Sequence, residues 1–175
     1  MAPEPRQMTS ASQTPELVIV PFNEEHQQAF YELNRAWLEA YFLLEPYDLK
    51  VLRHPKETVL NQGGAIFFGL LDGGVVATFA LTPVRLGVVE LNKMAVRKDC
   101  QSQGLGQQLM EFLLAECRRR DIHTIELFSH SKLAPALHIY RKFGFEPVPM
   151  PASCHYDRAD VHMRLIMNSE ALGKA

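Results

Sequence analysis

Two seven-residue runs, Ala65-Ile66-Phe67-Phe68-Gly69-Leu70-Leu71 and Val75-Val76-Ala77-Thr78-Phe79-Ala80-Leu81, flank an Asp72-Gly73-Gly74 turn and constrain the fold more than any other stretch. The runs are apolar, β-branched and aromatic, and glycine supplies the positive φ of a tight reversal, so the pair reads as a β-hairpin. Gly87 marks a further turn, and Val88 to Val96 follows as a third strand. Three consecutive strands make a meander whose apolar surface must be covered by helices.

The flanking sequence supplies those helices. Leu17-Val18-Ile19-Val20 is a short strand stopped by Pro21, and Asn23 precedes a helical stripe of Phe30, Leu33, Trp37, Leu38 and Tyr41. Pro46 and Pro55 break Glu45 to Leu60 into two short helical pieces expected to overlie the substrate cleft. A helix from about Gly104 to Arg119 carries Leu105, Leu109, Phe112 and Leu113 at helical spacing, and Arg118, Arg119 and Arg120 suit its negative dipole end. Thr124 to Phe128 reads as a strand, Leu133 to Lys142 as a helix ended by Gly144, and Val161 to Met167 as a last strand. The order β, α, meander, α, β, α, β predicts an α/β (α+β mixed) fold, a mixed sheet flanked by helices rather than a doubly wound one.

A chain of 175 residues holds one such domain, expected over residues 16–168, between a polar, flexible tail at 1–15 and a short C-terminal tail at 169–175. Lys and Arg total 18 against 20 Asp and Glu, so bulk charge gives no argument for nucleic acid or a membrane surface as a partner. The N-terminal stretch lacks the apolar core of a signal peptide, and no apolar run approaches the ~20 residues of a membrane span. Cys100, Cys117 and Cys154 form no CxxC pair, which points to free thiols in a reducing compartment, and a cytoplasmic location is expected. The seven histidines show no HExxH or short Cys/His ligand spacing, so no metal is expected.

Between the third strand and the long helix lies Arg97-Lys98-Asp99-Cys100-Gln101-Ser102-Gln103-Gly104-Leu105-Gly106-Gln107. Free N–H groups at a helix start converge there, and the helix dipole adds partial positive charge, so the segment forms a cradle for a phosphorylated group. A tight loop that only permits close helix packing would show the same two glycines. No GxGxxG follows the strand and no Gly-Lys-Ser/Thr is present, so hydride transfer and nucleotide hydrolysis lose support.

Gln101-Ser102-Gln103-Gly104-Leu105-Gly106 resembles the pyrophosphate loop of the GNAT superfamily of N-acetyltransferases, Gln/Arg-x-x-Gly-x-Gly/Ala. Ala136-Leu137-His138-Ile139-Tyr140-Arg141-Lys142-Phe143-Gly144-Phe145 resembles the same family's later Ala-x-x-x-Tyr-x-x-x-Gly-Phe block. The resemblance extends from Leu17 to Met167 and is carried by Val88 to Phe145. It implies a mostly antiparallel sheet of about six to seven strands, with an acetyl-CoA cleft at a splay between two central strands. It also implies that Met94, Ala95 and Val96 offer backbone groups to the pantetheine arm, while Gln101, Ser102, Gln103, Gly104, Leu105 and Gly106, with Gln107, surround the pyrophosphate. One position departs from the pattern: many members place Asn where this chain has Leu133, which leaves His130 or Ser131 to supply a substitute hydrogen bond.

The resemblance implies an acetyl-CoA-dependent transfer to a primary amine of a small molecule or peptide, by direct attack on the thioester. The alternative is a catalytically silent CoA-binding or sensory module, and a longer-chain acyltransferase would need a wider channel. An alkyl amine with a pKa of about 10.4 must lose a proton before it attacks. Glu90 shares a strand face with Asn92 and Met94 and matches a glutamate used as base in some members; it reads equally as a strand-end carboxylate paired with a surface Lys or Arg, and Glu126 is its rival. Tyr140, within the later block, is the candidate hydrogen-bond or proton donor to the departing thiolate, and a backbone N–H of Met94 to Val96 is the candidate to polarise the carbonyl. Tyr156 and Arg158 are expected on the acceptor side, Cys154-His155 is not read as a catalytic dyad, and the strand edge Val161 to Leu165 offers a surface for a homodimer.

Overall fold

The structure, a computed structural model, describes residues 13–167. Asp72 and Gly73, with φ of 49° and 79°, close the hairpin between β2 (Ala65–Leu71) and β3 (Gly74–Arg85). Both central positions of a two-residue turn at positive φ match the twist of the strands they join. β4 (Val88–Val96) pairs antiparallel with β3, and β1 (Val18–Pro21) pairs antiparallel with β2. With β5 (Thr124–Ser129), β6 (Glu146–Val148) and β7 (Val161–Ile166) the described residues form a seven-stranded sheet ordered β1-β2-β3-β4-β5-β7-β6. Its one parallel pair is β4 with β5.

Helices bury both faces, which is why the hairpin strands read as continuous apolar runs rather than alternating ones. On one face Phe67, Phe79, Leu91 and Ile125 meet Leu109, Met110 and Leu113 of α4 (Leu105–Arg119) and Leu137 of α5 (Ala134–Lys142). On the other, Ile66, Phe68 and Ala80 meet Phe30 and Leu38 of α1 (Gln27–Tyr41) and Val51 and Leu52 of α2 (Pro46–Arg53). A one-turn helix, α3 (Pro55–Thr58), follows, so the prolines divide this segment as the sequence predicts.

Three details differ from the sequence reading. The stripe of α1 is shifted from the expected one: Asn34, 1% exposed, joins Phe30 and Leu38 on the buried face, Leu33 and Trp37 are only partly buried, and Tyr41 is 46% exposed at the cleft. β6 is an added strand, and it pairs with β7 from Glu146↔Arg164 to Val148↔His162. β7 therefore lies between β5 and β6, and Val161 to Leu165 is not the edge of the sheet. Most of the expected N-terminal tail, and residues 168–175, lie outside the described residues; Pro15 and Leu17 are held on α4, where Gln108 Nε2 donates to the Pro15 carbonyl at 2.7 Å and Gln108 Oε1 accepts from the Leu17 N–H at 2.8 Å. No helix among the described residues is long and apolar enough to cross a membrane.

The parallel pair is short. β4 and β5 match at Val88↔Thr124, Val89↔Ile125 and Glu90↔Glu126, and beyond Glu90 they part although β4 runs on to Val96 and β5 to Ser129. A cleft opens in the centre of the sheet at that point.

Candidate active site

The parted strands border a cavity of about 520 Å³. One wall is β4 from Glu90 to Val96, the other Phe128, Ser129 and His130 at the end of β5; the start of α4 and Tyr140 of α5 close one end, and Trp37 and Phe42 close the other.

The α4 end is built from backbone. Ser102 at φ 60° and Gly104 at φ 79° curl the loop, so that the first-turn N–H groups of α4, which have no acceptor within the helix, point out of its N-terminus. Gly106 is small for a different reason: a Cβ there would stand 3.2 Å from Ile139 Cδ1, so α5 packs directly against the start of α4. Gln101 and Gln103 spend their amides on the loop itself, donating to the Val96 carbonyl at 3.0 Å and the Asp99 carbonyl at 3.3 Å. Gln107 Oε1 accepts from Lys142 at 2.6 Å. Met94, Ala95, Val96, Gln101, Ser102, Gly104, Leu105, Gly106 and Gln107 all line the cleft; Gln103 does not.

Glu90 stands where the strands part. It is 7% exposed, and burial raises its carboxyl above the ordinary range, although the neighbouring Asn92 amide and Lys93 ammonium oppose the rise. Asn92 Nδ2 lies 3.4 Å from Glu90 Oε1 and 3.0 Å from Thr82 Oγ1. Glu126, the register partner of Glu90, is taken up by Arg164 at 3.0 Å and does not line the cleft. Tyr140 reaches the cleft from α5 and packs on Phe145 at 5.9 Å between ring centroids. Its ring is only partly buried, yet enough protein surrounds the phenol that burial pushes it up to about 12.

Among the described residues two buried polar atoms near Glu90, Asn92 Oδ1 and the Tyr156 hydroxyl, have no partner within normal hydrogen-bond geometry, although Tyr156 stands close enough to Glu90 to help lower its carboxyl. Both residues line the cavity, and an unpaired buried polar atom is costly unless a ligand or water satisfies it. Leu133 is buried at the start of α5 and brings no polar atom. Of its expected substitutes, His130 lines the cleft, whereas Ser131 gives its N–H and hydroxyl to Asp160 at 2.7 and 2.6 Å. Cys154 and His155 form no pair: the thiol donates to the Tyr156 carbonyl at 3.5 Å and the imidazole stacks on Tyr47 at 4.8 Å.

No sequence pattern pointed to the ion cluster beside Tyr156. Asp48 of α2 is fully buried and receives Lys93 Nζ at 2.6 Å, both terminal nitrogens of Arg158 at 2.6 and 2.9 Å, and the Glu45 N–H at 3.0 Å. Burial alone would raise the Asp48 carboxyl, but Arg158 and Lys93 outweigh it and hold it at about 2. Burial also draws the Lys93 ammonium below its usual value, with Asp48 opposing. Asp48 and Lys93 carry no sequence pattern that brings them together; Tyr156 and Arg158, expected on the acceptor side, line the cleft.

This arrangement has known relatives. The family description "Acetyltransferase (GNAT) family" matches residues 20–145. The [ribosomal protein bS18]-alanine N-acetyltransferase of Escherichia coli K12 is 38% identical over 86 residues, a match spanning 49% of this chain and only 58% of that protein's length. A GNAT-family acetyltransferase from Staphylococcus aureus Mu50 superposes with a TM-score of 0.79 at 19% identity, over 87% of this chain and all 100% of that one. A Salmonella typhimurium acetyltransferase structure with its cofactor acetyl-CoA superposes with a TM-score of 0.70 at 20% identity, over 91% and 99% of the two chains. The last two likenesses concern the fold, and the family match, which takes in the splayed strands, the α4 loop and the Tyr140 block, establishes that this chain belongs to the GNAT acetyltransferase family.

Proposed function

We propose that the chain is an acetyl-CoA-dependent N-acetyltransferase that moves an acetyl group onto a primary amine by direct attack on the thioester. The observation that carries this reading is the meeting, in one cleft, of a backbone anion cradle at the start of α4 with a buried carboxyl of raised pKa, Glu90, and a phenol, Tyr140. The cradle fits a pyrophosphate because it offers N–H groups and a helix dipole. The parted strand from Met94 to Val96 fits an extended amide-bearing arm, since its edge toward β5 is unpaired beyond Glu90.

In the reaction the amine nitrogen bonds to the thioester carbonyl carbon, the carbon–sulfur bond breaks, the surplus amine proton goes to Glu90, and the sulfur leaves as thiolate. Burial makes Glu90 a stronger base than an exposed carboxylate. Tyr140, protonated throughout the neutral range, donates a hydrogen bond to the departing sulfur and keeps its proton, because a phenol at about 12 is too weak an acid to protonate a thiolate whose thiol lies near 8.5. Asn92 Oδ1 and the Tyr156 hydroxyl receive the N–H groups of the acceptor amine, which satisfies two atoms otherwise left unpaired. The domain is assigned to residues 16–168, acting in the cytoplasm.

Release of free thiol from acetyl-CoA across a panel of amines tests the reading. Because a relative is named for acetylating a ribosomal-protein alanine, an N-terminal alanine peptide belongs in that panel beside alkyl amines and amino acids. Thiol release that needs both an amine and Glu90 is expected; release that persists in E90Q and Y140F alike would remove the assigned roles, and binding of acetyl-CoA without release on any amine would favour a silent CoA-binding module.

A further inference from the structure

Lys93 has a backbone conformation that lysine seldom takes. Its φ is 50°, in the left-handed region favoured by Gly, Asn and Asp, and it lies inside a strand. The register explains where the distortion goes: Thr78 opposes Ala95 and Ala80 opposes Asn92, so Phe79 alone faces Lys93 and Met94. This is a β-bulge, which bends its strand and breaks the alternation of side chains. Leu91 packs in the α4-side core, and by the period of two Lys93 would follow it; instead Lys93 emerges toward α2 and meets Asp48. The bulge sits three residues past Glu90, the last residue of β4 that pairs with β5, and immediately before Met94.

Asp48, at the centre of the ion cluster, is saturated. Asp48 accepts from Lys93, twice from Arg158 and from the Glu45 N–H, which uses the hydrogen-bonding capacity of a carboxylate. Glu45 in turn accepts the N–H groups of Asp157 and Arg158 at 3.1 and 2.9 Å, and the Lys93 and Arg158 cations each lie 4.9 Å from the Tyr156 ring centroid. A carboxylate with no free acceptor position, as Asp48 is, makes a poor ligand and a good clamp. The cluster joins α2, the bulge of β4 and the segment before β7.

We propose that Asp48 is a positioning residue for acetyl transfer: by clamping Lys93 it holds the left-handed bulge that turns β4 away from β5 and sets the path of Met94 to Val96 along the cleft. The proposal rests on the transferase reading, because that reading gives the Met94 to Val96 strand its role. It differs from a role for the ammonium as such, since glycine at position 93 would keep the bulge without any charge, whereas a β-branched residue would resist it.

The test compares K93G, K93V and D48N, and the D48N/K93G pair, in the full chain. Melting temperature establishes folding, and kcat and the acetyl-CoA KM are read from thiol release with the best amine of the panel. K93V is expected to lose about a hundredfold in kcat, the scale of a ~1 Å misplacement. K93G should stay within about tenfold of wild type, because glycine adopts positive φ without steric cost. D48N should fall with K93V, yet add little further loss in the K93G background. K93G as slow as K93V, with both folded, would overturn the proposal, as would an equal penalty for D48N with and without Gly at 93. If D48N fails to fold, K93M, an unbranched side chain that Asp48 cannot hold, takes its place and should fall with K93V; K93M as fast as K93G would overturn the proposal. A wild-type chain that neither binds acetyl-CoA nor releases thiol would instead sink the transferase reading, and loss of positive φ at Lys93 in D48N, read from backbone chemical shifts, would still support the clamp.

Discussion

Glu90 and Tyr140 both line the cleft, and the proposed reaction makes opposite demands on their protons that burial serves in both cases. Burial raises the carboxyl of Glu90, so the acidic limb of a kcat/KM–pH profile should inflect above the usual carboxylate value of 4.5 and disappear in E90Q. The base acts deprotonated, so the rate climbs as pH rises through that inflection. At neutral pH E90Q should lower kcat by about 10²–10⁴ without weakening acetyl-CoA binding. Y140F should lower kcat by about ten- to a hundredfold, the worth of a hydrogen bond to a charged atom, again with acetyl-CoA binding kept. That Glu90 and Tyr140 line the cleft was legible, Glu90 from its shared strand face with Asn92 and Tyr140 from the motif around it, whereas Met94, expected on the same face, falls out of alternation at the bulge. Asp48 and Lys93 were not legible: their meeting depends on a bulge, and a bulge breaks the alternation from which faces are read.

At the scale of elements, the start of α4 depends on two glycines for separate reasons. G104A forces an alanine into φ 79° and should cost about 1 kcal/mol of stability, read as a lower denaturant midpoint. G106V puts a side chain into the 3.2 Å contact with Ile139, so it should push α5 from α4 and weaken acetyl-CoA binding far more than G104A does. Equal binding in the two variants would detach the cradle from this helix contact. The long elements were legible because their apolar periods run over many residues: α4, β2, β3 and β4 begin and end within a residue or a few of the expected bounds. β6 was missed because three residues containing Pro147 give no period, and their strand character comes from pairing with β7.

For the whole molecule, acid stability follows the buried and bridged carboxylates. Asp48 sits at about 2 against an ordinary 3.8, so its contribution is complete above pH 3.8 and is lost as pH falls through 2; linkage makes it about 2 kcal/mol. Glu116, held at about 2 chiefly by Arg119, with Arg120 adding to it, acts in the same direction and window. Urea midpoints measured from pH 5 to pH 2 should therefore fall, and fall less in D48N if that variant folds. The layered α/β architecture followed from the meander and its flanking helices, whereas the splay at Glu90 is a property of two strands far apart in sequence and entered only through the family resemblance. The most direct test of the central claim is thermal unfolding with and without acetyl-CoA. At a hundred times its dissociation constant the cosubstrate should stabilise the fold by about 2.7 kcal/mol, a clear rise in Tm that G106V diminishes. An unchanged Tm at saturating acetyl-CoA would contradict the assignment of this cleft to acetyl transfer.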